Sequence, residues 1–373
     1  MDQRIISPEN DYSGLDAWTE GKKCIFIVCG KTFSLPDSFN RKLERITAST
    51  VFFSDFCPNP LYRSVVEGVR LFREAACDAI MAVGGGSAID VAKCIKLYSG
   101  RPGNGENGAW LTYDGEGKDI PFLAMPTTAG TGSEATRYAV IYYDGKKQSI
   151  TSDSIIPETV LFDPGPLKTL PLYQKKATMC DALCHAIESF WSINSTEESR
   201  EYSKVAIRGI MEHMDGYLAN SDEGCMGMLA AANIAGKAIN IAQTTAGHAM
   251  CYKITGLFGC AHGHAAILCD RVLYSWMAEN VEKCTDPRGI AFFERILNEI
   301  AEAMGCKGAA AGAERLDTIF EMLRLDIPYA SAEQFKELKT SVNPIRLQNN
   351  PVIPDEETVN MLYHRILGEK TCM

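Results

Sequence analysis

Short apolar runs and helix-spaced apolar positions alternate through residues 1–170. Cys24-Ile25-Phe26-Ile27-Val28-Cys29 is an unbroken apolar run closed by Gly30, the pattern of a strand buried on both faces. Val51-Phe52-Phe53 reads as a second strand. Over residues 61–76, Val65, Val69 and Phe72 recur near helical spacing, which predicts an amphipathic helix. Ala79-Ile80-Met81-Ala82-Val83 predicts a third strand, followed at once by three glycines and another helix. Phe122-Leu123-Ala124-Met125 and Thr159-Val160-Leu161-Phe162 predict two more. Strand–helix alternation of this kind builds a parallel sheet covered on both faces.

Beyond Leu170 the pattern changes. Pro164, Pro166 and Pro171 punctuate a junction, and residues 173–191, 197–219, 224–245 and 292–304 all read as helices. The expected fold class is α/β plus all-α. A Rossmann-like parallel-sheet domain (1–170) would precede a helical domain (171–373), with the active site in the cleft between them. Neither an internal repeat nor a low-complexity linker is visible.

Composition narrows the function classes. A chain of 373 residues, 46% hydrophobic and 23% charged, is large enough for two domains with sizeable cores. The net charge of −10, with no long basic run, repels a phosphate backbone and argues against a nucleic-acid partner. An anionic substrate would need a local cationic pocket set against that field. No apolar run approaches the roughly 20 residues of a membrane span, and residues 1–20 lack the features of a signal peptide. The expectation is a cytoplasmic protein with no membrane partner. The fourteen cysteines contain no CxxC pair and are expected to be reduced core thiols.

Two loops carry candidate chemistry. Gly84-Gly85-Gly86-Ser87 follows a strand and opens a helix that contains Asp90. Glycines let the backbone approach a ligand, and a helix N-terminus with open N–H groups binds a pyrophosphate. The spacing is not GxGxxG, and the motif comes late in the domain, unlike an ordinary Rossmann turn. Pro126-Thr127-Thr128-Ala129-Gly130-Thr131-Gly132-Ser133-Glu134 also follows a strand, so it is expected on the same sheet edge. Its hydroxyls suit ribose, phosphate or a carboxamide.

In the helical half, Asp181 and His185 stand four residues apart, about one turn, and project from one helix face. His248 and His262 follow on a separate segment. Singly, each is an ordinary polar residue. Together, one carboxylate and three imidazoles form a ligand set for a divalent cation such as Fe²⁺ or Zn²⁺. His264 competes with His262 for a place in it.

Taken in order, Gly84-Gly85-Gly86-Ser87 with Asp90, Pro126-Thr127-Thr128-Ala129-Gly130-Thr131, Asp181-x3-His185 and His248-x13-His262-Gly263 resemble the iron-containing, metal-dependent (group III) alcohol dehydrogenases. The resemblance covers most of the chain from about Gly30 onward. It implies the two-domain, dehydroquinate synthase-like architecture, usually as a homodimer. Asp181, His185, His248 and His262 would hold one Fe²⁺ or Zn²⁺. Gly85, Gly86 and Ser87 would bind the pyrophosphate of NAD or NADP, Asp90 belongs with them to the cofactor-binding set, and Thr127, Thr128 and Thr131 would lie near the nicotinamide half. Lys147 matches a lysine that contacts the cofactor ribose. Two departures stand out. Tyr252 replaces a histidine that relays a proton in many members, and is the candidate catalytic donor here. Gly30, followed by Lys31, replaces an Asp common in NAD-preferring members.

Residues 132–138, 244–250 and 343–347 resemble the branch that reduces two-carbon aldehydes bearing a phosphonate or sulfonate. Arg137, Tyr138, Lys253 and Arg346 are then candidates for clamping a tetrahedral anion. The expected reaction is reduction of a small anionic aldehyde to its alcohol by NAD(P)H. Alternatives are a general short-chain alcohol dehydrogenase, the metal- and NAD-using dehydroquinate synthase and glycerol-1-phosphate dehydrogenase, a metal hydrolase, and a non-catalytic nucleotide-binding protein.

Overall fold

Alternate residues of the central strands serve two different cores. Phe26, Val28, Ile80, Ala82 and Phe122 pack on one side with Val65, Val69, Phe72, Ile89 and Ile95. Ile25, Ile27, Met81, Val83, Leu123 and Met125 pack on the other with Leu15, Trp18, Phe39 and Leu43. A strand with period two and apolar residues at every position must be covered on both faces. The structure, a computed structural model, describes residues 3–369 except 32–35, 114 and 343 and the side chains of Ile345 and Arg346. The chain divides into two compact units, Met1–Leu170 and Pro171–Met373.

The first unit runs β1 (Arg4–Ile6), α1 (Glu9–Thr19), β2 (Cys24–Cys29), α2 (Asp37–Leu43), β3 (Ser49–Phe53), α3 (Tyr62–Glu74), β4 (Ala79–Gly84), α4 (Gly86–Tyr98), β5 (Phe122–Pro126), β6 (Tyr138–Tyr143), β7 (Lys146–Thr151), β8 (Thr159–Leu161) and α5 (Pro164–Lys168). Six strands form one sheet in the order β1-β8-β5-β4-β2-β3. Every pairing in it is parallel. The register sets Gly84 beside Pro126. The glycine turn and the threonine loop therefore leave the sheet from adjacent carboxyl ends.

Two features escaped the hydrophobic pattern. The three-residue β1 is too short to show a period, and it borrows its partner from β8. The antiparallel β6–β7 hairpin turns at Asp144 (φ 50°) and Gly145 (φ 69°). Asp-Gly in that left-handed pair is a strong hairpin signal that the hydrophobic count does not register.

The second unit is helical: α6 (Leu172–Trp191), α7 (Glu197–Leu218), α8 (Asp222–Ala242), α9 (Ala246–Phe258), α10 (His262–Glu279), α11 (Ile290–Ala303), α12 (Ala309–Leu323), α13 (Ala332–Lys339), α14 (Pro344–Leu347) and α15 (Glu356–Ile366), with two two-residue strands. From Met179 to Trp191, every residue of α6 is buried. A helix enclosed all round belongs to the centre of a bundle. α8 is long and apolar enough to cross a membrane by length and composition, yet 61% of its most apolar window is buried inside the unit. Every cysteine among the described residues is a free thiol, and most are buried.

Candidate functional site

In the first unit, α4 begins directly at the glycine turn. Its capping residue Gly85 offers no side-chain acceptor, and its first turn carries no acid. The open N–H groups and the positive helix end remain available to an anion. The neighbouring loop lies against them. A Cβ on Gly85 would stand 3.2 Å from Thr128 Oγ1, and one on Gly86 would stand 3.2 Å from Thr131 Cγ2. Thr127 N–H also donates to Gly84 O at 3.1 Å. Gly85, Gly86, Ser87, Thr128 and Thr131 are partly exposed, while Thr127 is buried.

Asp90 takes a different place from the one expected. Its carboxylate accepts from Ser133 Oγ at 2.6 Å and from Val140 N–H at 2.9 Å. Lys93, one turn along the same helix face, donates to Thr136 O (2.7 Å), Thr136 Oγ1 (3.2 Å) and Tyr138 O (2.7 Å). Both oxygens of Asp90 thus tie the end of the threonine loop and the start of β6 to α4. Burial pushes its carboxyl up, against the pull of Lys93.

In the second unit, α6 supplies Asp181 and His185, the first turn of α9 supplies His248, and His262 opens α10. A glycine adjoins each of the last two. A Cβ on Gly247 would lie 1.7 Å from Asp270 Oδ1, and one on Gly263 would lie 2.0 Å from Ala177 O and 2.6 Å from Asp181 Cβ. Only glycine lets the start of α10 close onto the backbone of α6, and the start of α9 close onto Asp270 of α10 and Glu188 of α6.

Ligand atoms of Asp181, His248 and His262 all lie within 4.8 Å of one another. Asp181 Oδ1 is 3.5 Å from His248 Nε2 and 4.0 Å from His262 Nε2. Bonds of about 2.0–2.2 Å to a common cation would separate its ligands by roughly 3–4 Å. His185 is outside that trio, but its ring stacks on His248 with centroids 4.6 Å apart. Tyr252, one turn beyond His248, stacks on His262 at 5.2 Å.

The electrostatics fit a cation. Asp181 Oδ1 and His248 Nε2 are both buried and have no hydrogen-bond partner. Buried polar atoms without partners are costly, and two atoms that can each offer a lone pair, converging on one point, are explained by a shared cation. Burial alone would raise the Asp181 carboxyl, but His185, His248 and His262 outweigh it and hold it well below its ordinary value. His248 would be lowered by burial, yet Glu188 and Asp181 push it up to about 10. Such a nest of carboxylate charge favours any positive species placed in it, a proton or a metal ion alike.

The remaining expected residues fall elsewhere. His264 does not compete with His262: its Nδ1 meets the Tyr173 hydroxyl at 3.1 Å and its Nε2 meets Asp326 O at 2.9 Å. Arg137 pairs with Asp153 at 3.4 Å, and Lys253 pairs with Glu337. These two candidate anion binders are already matched by carboxylates. Tyr138 begins β6, and its carbonyl accepts from Lys93. Lys147 is an exposed residue of β7, and Gly30 directly follows β2. The side chain of Arg346 lies outside the described residues. Glu188, which is not among the expected residues, touches His248 and falls on the Asp181/His185 face of α6 at the next helical step, the one signal of it in the sequence.

Sequence comparison matches residues 3–164 to iron-containing alcohol dehydrogenase and residues 175–367 to the C-terminal part of the Fe-containing alcohol dehydrogenase family. The phosphonoacetaldehyde reductase of Streptomyces viridochromogenes is 31% identical over 83% of this chain and 80% of its own. The chain belongs to the iron-containing alcohol dehydrogenase family. It is a metal-dependent NAD alcohol dehydrogenase or aldehyde reductase. Another member, the NAD-dependent methanol dehydrogenase of Bacillus methanolicus, is 27% identical over 89% of this chain and 88% of its own. Among solved structures, sulfoacetaldehyde reductase from Bifidobacterium kashiwanohense in complex with NAD+ superposes with a TM-score of 0.86 at 25% identity, covering 98% of this chain and 96% of that one. The six-stranded parallel sheet followed by a helical part is the fold of this family.

Proposed function

We propose that this dehydrogenase reduces a two-carbon aldehyde carrying a phosphonate or sulfonate to the corresponding alcohol. The observation that carries the chemistry is the convergence of the orphaned Asp181 Oδ1 and His248 Nε2 with His262. Asp181, His248 and His262 would hold the divalent cation, and His185, stacked on His248, completes the set. When bound, that cation supplies the Lewis acidity that polarises a carbonyl oxygen. Gly85, Gly86 and Ser87 would hold the pyrophosphate of the nicotinamide cofactor on the N-terminus of α4, with Thr127, Thr128 and Thr131 beside it. Tyr252, whose ring stacks on His262, would donate the proton to the substrate oxygen.

The substrate class follows the relatives that reduce phosphonoacetaldehyde and sulfoacetaldehyde. Arg137 and Lys253 are the cations this reading uses. Their ion pairs with Asp153 and Glu337 are partly exposed. Such pairs are worth about 0–1 kcal/mol, so a bound oxyanion can displace the carboxylate. That same pairing favours a second reading, a general short-chain alcohol dehydrogenase with no anion clamp.

Steady-state oxidation of NADH and NADPH by metal-loaded protein separates the two, with sulfoacetaldehyde, phosphonoacetaldehyde and propionaldehyde compared side by side. The proposal expects kcat/KM for one charged aldehyde to exceed that for propionaldehyde by at least about tenfold, the effect of 1.4 kcal/mol of anion recognition. Equal turnover of propionaldehyde would leave the general dehydrogenase. His262→Ala is expected to abolish turnover while NADH binding survives.

A further inference from the structure

His248 is held from behind by a buried carboxylate. Glu188, fully buried on α6, accepts from the backbone N–H of His248 at 3.0 Å and contacts the His248 ring at Nδ1. Its other oxygen accepts from Thr245 N–H at 2.5 Å and Thr245 Oγ1 at 2.6 Å. Thr245 is in turn fixed by Trp191 Nε1, which donates to its hydroxyl at 2.8 Å. The carboxylate thus has three donors and the His248 ring nitrogen around it. His262 has a much weaker neighbour on its own Nδ1, the Cys251 thiol at 3.6 Å.

A carboxylate can only accept. A neutral imidazole facing one must therefore carry its proton on the facing nitrogen and its lone pair on the other. In His248 the other nitrogen is Nε2, the buried atom that has no hydrogen-bond partner and points toward Asp181. Gly247 makes the approach possible, because a Cβ there would stand 2.9 Å from Glu188 Oε1 and closer still to Asp270.

We propose that Glu188 is the positioning residue of this metal centre, holding the proton of His248 on Nδ1 so that Nε2 presents its lone pair to the cation. The proposal rests on the reading of His248 as a metal ligand. Glu188 is fully buried behind His248, so it acts through that ring. Outer carboxylates that orient a ligating histidine typically change metal affinity 10–100-fold when removed.

The test is Zn²⁺ affinity by chelator competition at fixed pH for the full chain and for Glu188→Gln, with NADH binding as the control. The expected result is a 10–100-fold loss of Zn²⁺ affinity in Glu188→Gln with NADH binding unchanged. Unchanged Zn²⁺ affinity in the variant overturns the proposal. Failure of the unmodified chain to bind Zn²⁺ instead removes the metal reading itself, so the two failures are distinguishable. A second measurement needs no variant. In the Zn²⁺-loaded protein, imidazole ¹⁵N resonances are expected to show His248 protonated on Nδ1 with a slowly exchanging proton. Protonation on Nε2, or free exchange at Nδ1, overturns the proposal whether or not the variant folds.

Discussion

Lys93 and Asp181 are both buried charges, but their surroundings treat them oppositely. Asp181 sits among imidazoles that favour its ionised form, whereas Lys93 finds mainly neutral oxygens, with Asp90 and Glu134 nearby. Burial therefore wins at Lys93 and pushes its ammonium down from the ordinary 10.5 to about 8. Below pH 8 the folded and unfolded states both hold the proton, and the folded state bears the full cost of burying it. Between about 8 and 10.5 the unfolded chain alone retains the proton, so this cost fades and stability rises with pH. At 1.36 kcal/mol per pKa unit the change is on the order of 3 kcal/mol. Denaturant titrations of the natural chain and Lys93→Met should show the natural chain gaining on the variant across that window. A constant difference from pH 7 to 11 would contradict the assignment.

At the scale of elements, the candidate metal centre depends on three helices meeting with almost nothing between them. α6 can be placed in the centre of the bundle because its middle is apolar and small on most sides. The start of α10 then approaches it at Gly263, and the start of α9 packs through Gly247 against Asp270 of α10 and Glu188 of α6. Helix N-termini carry positive ends that oppose a cation; Asp181 on α6 offsets them, aided by Glu188 from behind. Gly263→Ala would drive a methyl into Ala177 O. Overpacking of this kind costs about 1–3 kcal/mol, so thermal unfolding should come several degrees lower. Zn²⁺ affinity should fall at least about tenfold, because His262 is carried away with its helix. A variant that binds Zn²⁺ normally would show that α10 does not need this close approach. The glycine-histidine neighbours are visible in the sequence. What they accomplish is not, since their contacts lie 23 residues away for Gly247–Asp270 and 82 for Gly263–Asp181.

Across the whole molecule the candidate chemistry is divided. The glycine turn and threonine loop belong to the first unit, and all the candidate metal ligands belong to the second. Removing the metal should therefore leave nucleotide binding intact. Protein stripped with EDTA is expected to bind NADH with an affinity within about threefold of the loaded form while losing turnover, and Zn²⁺ or Fe²⁺ should restore it. Loss of NADH binding on stripping would show that the metal organises the nucleotide site as well. Metal addition should also raise the unfolding temperature, as for any ligand that binds only the folded state.

Local pattern by itself determined five of the six strands of the parallel sheet, the main helices and the change of character near Leu170, because a two-residue or 3.6-residue period is written into consecutive positions. It also set out the candidate ligands, since Asp181 and His185 share a face by spacing alone, and the ordered motifs carried the family resemblance. Tertiary structure alone decided which polar groups meet. It removed His264 to Tyr173 and Asp326, spent Asp90 on Ser133 and Val140, matched Arg137 and Lys253 with acids, and put Glu188 behind His248. Hydrogen bonds and ion pairs act over about 3–4 Å between groups that can lie far apart in the chain, and no period along the sequence encodes that distance.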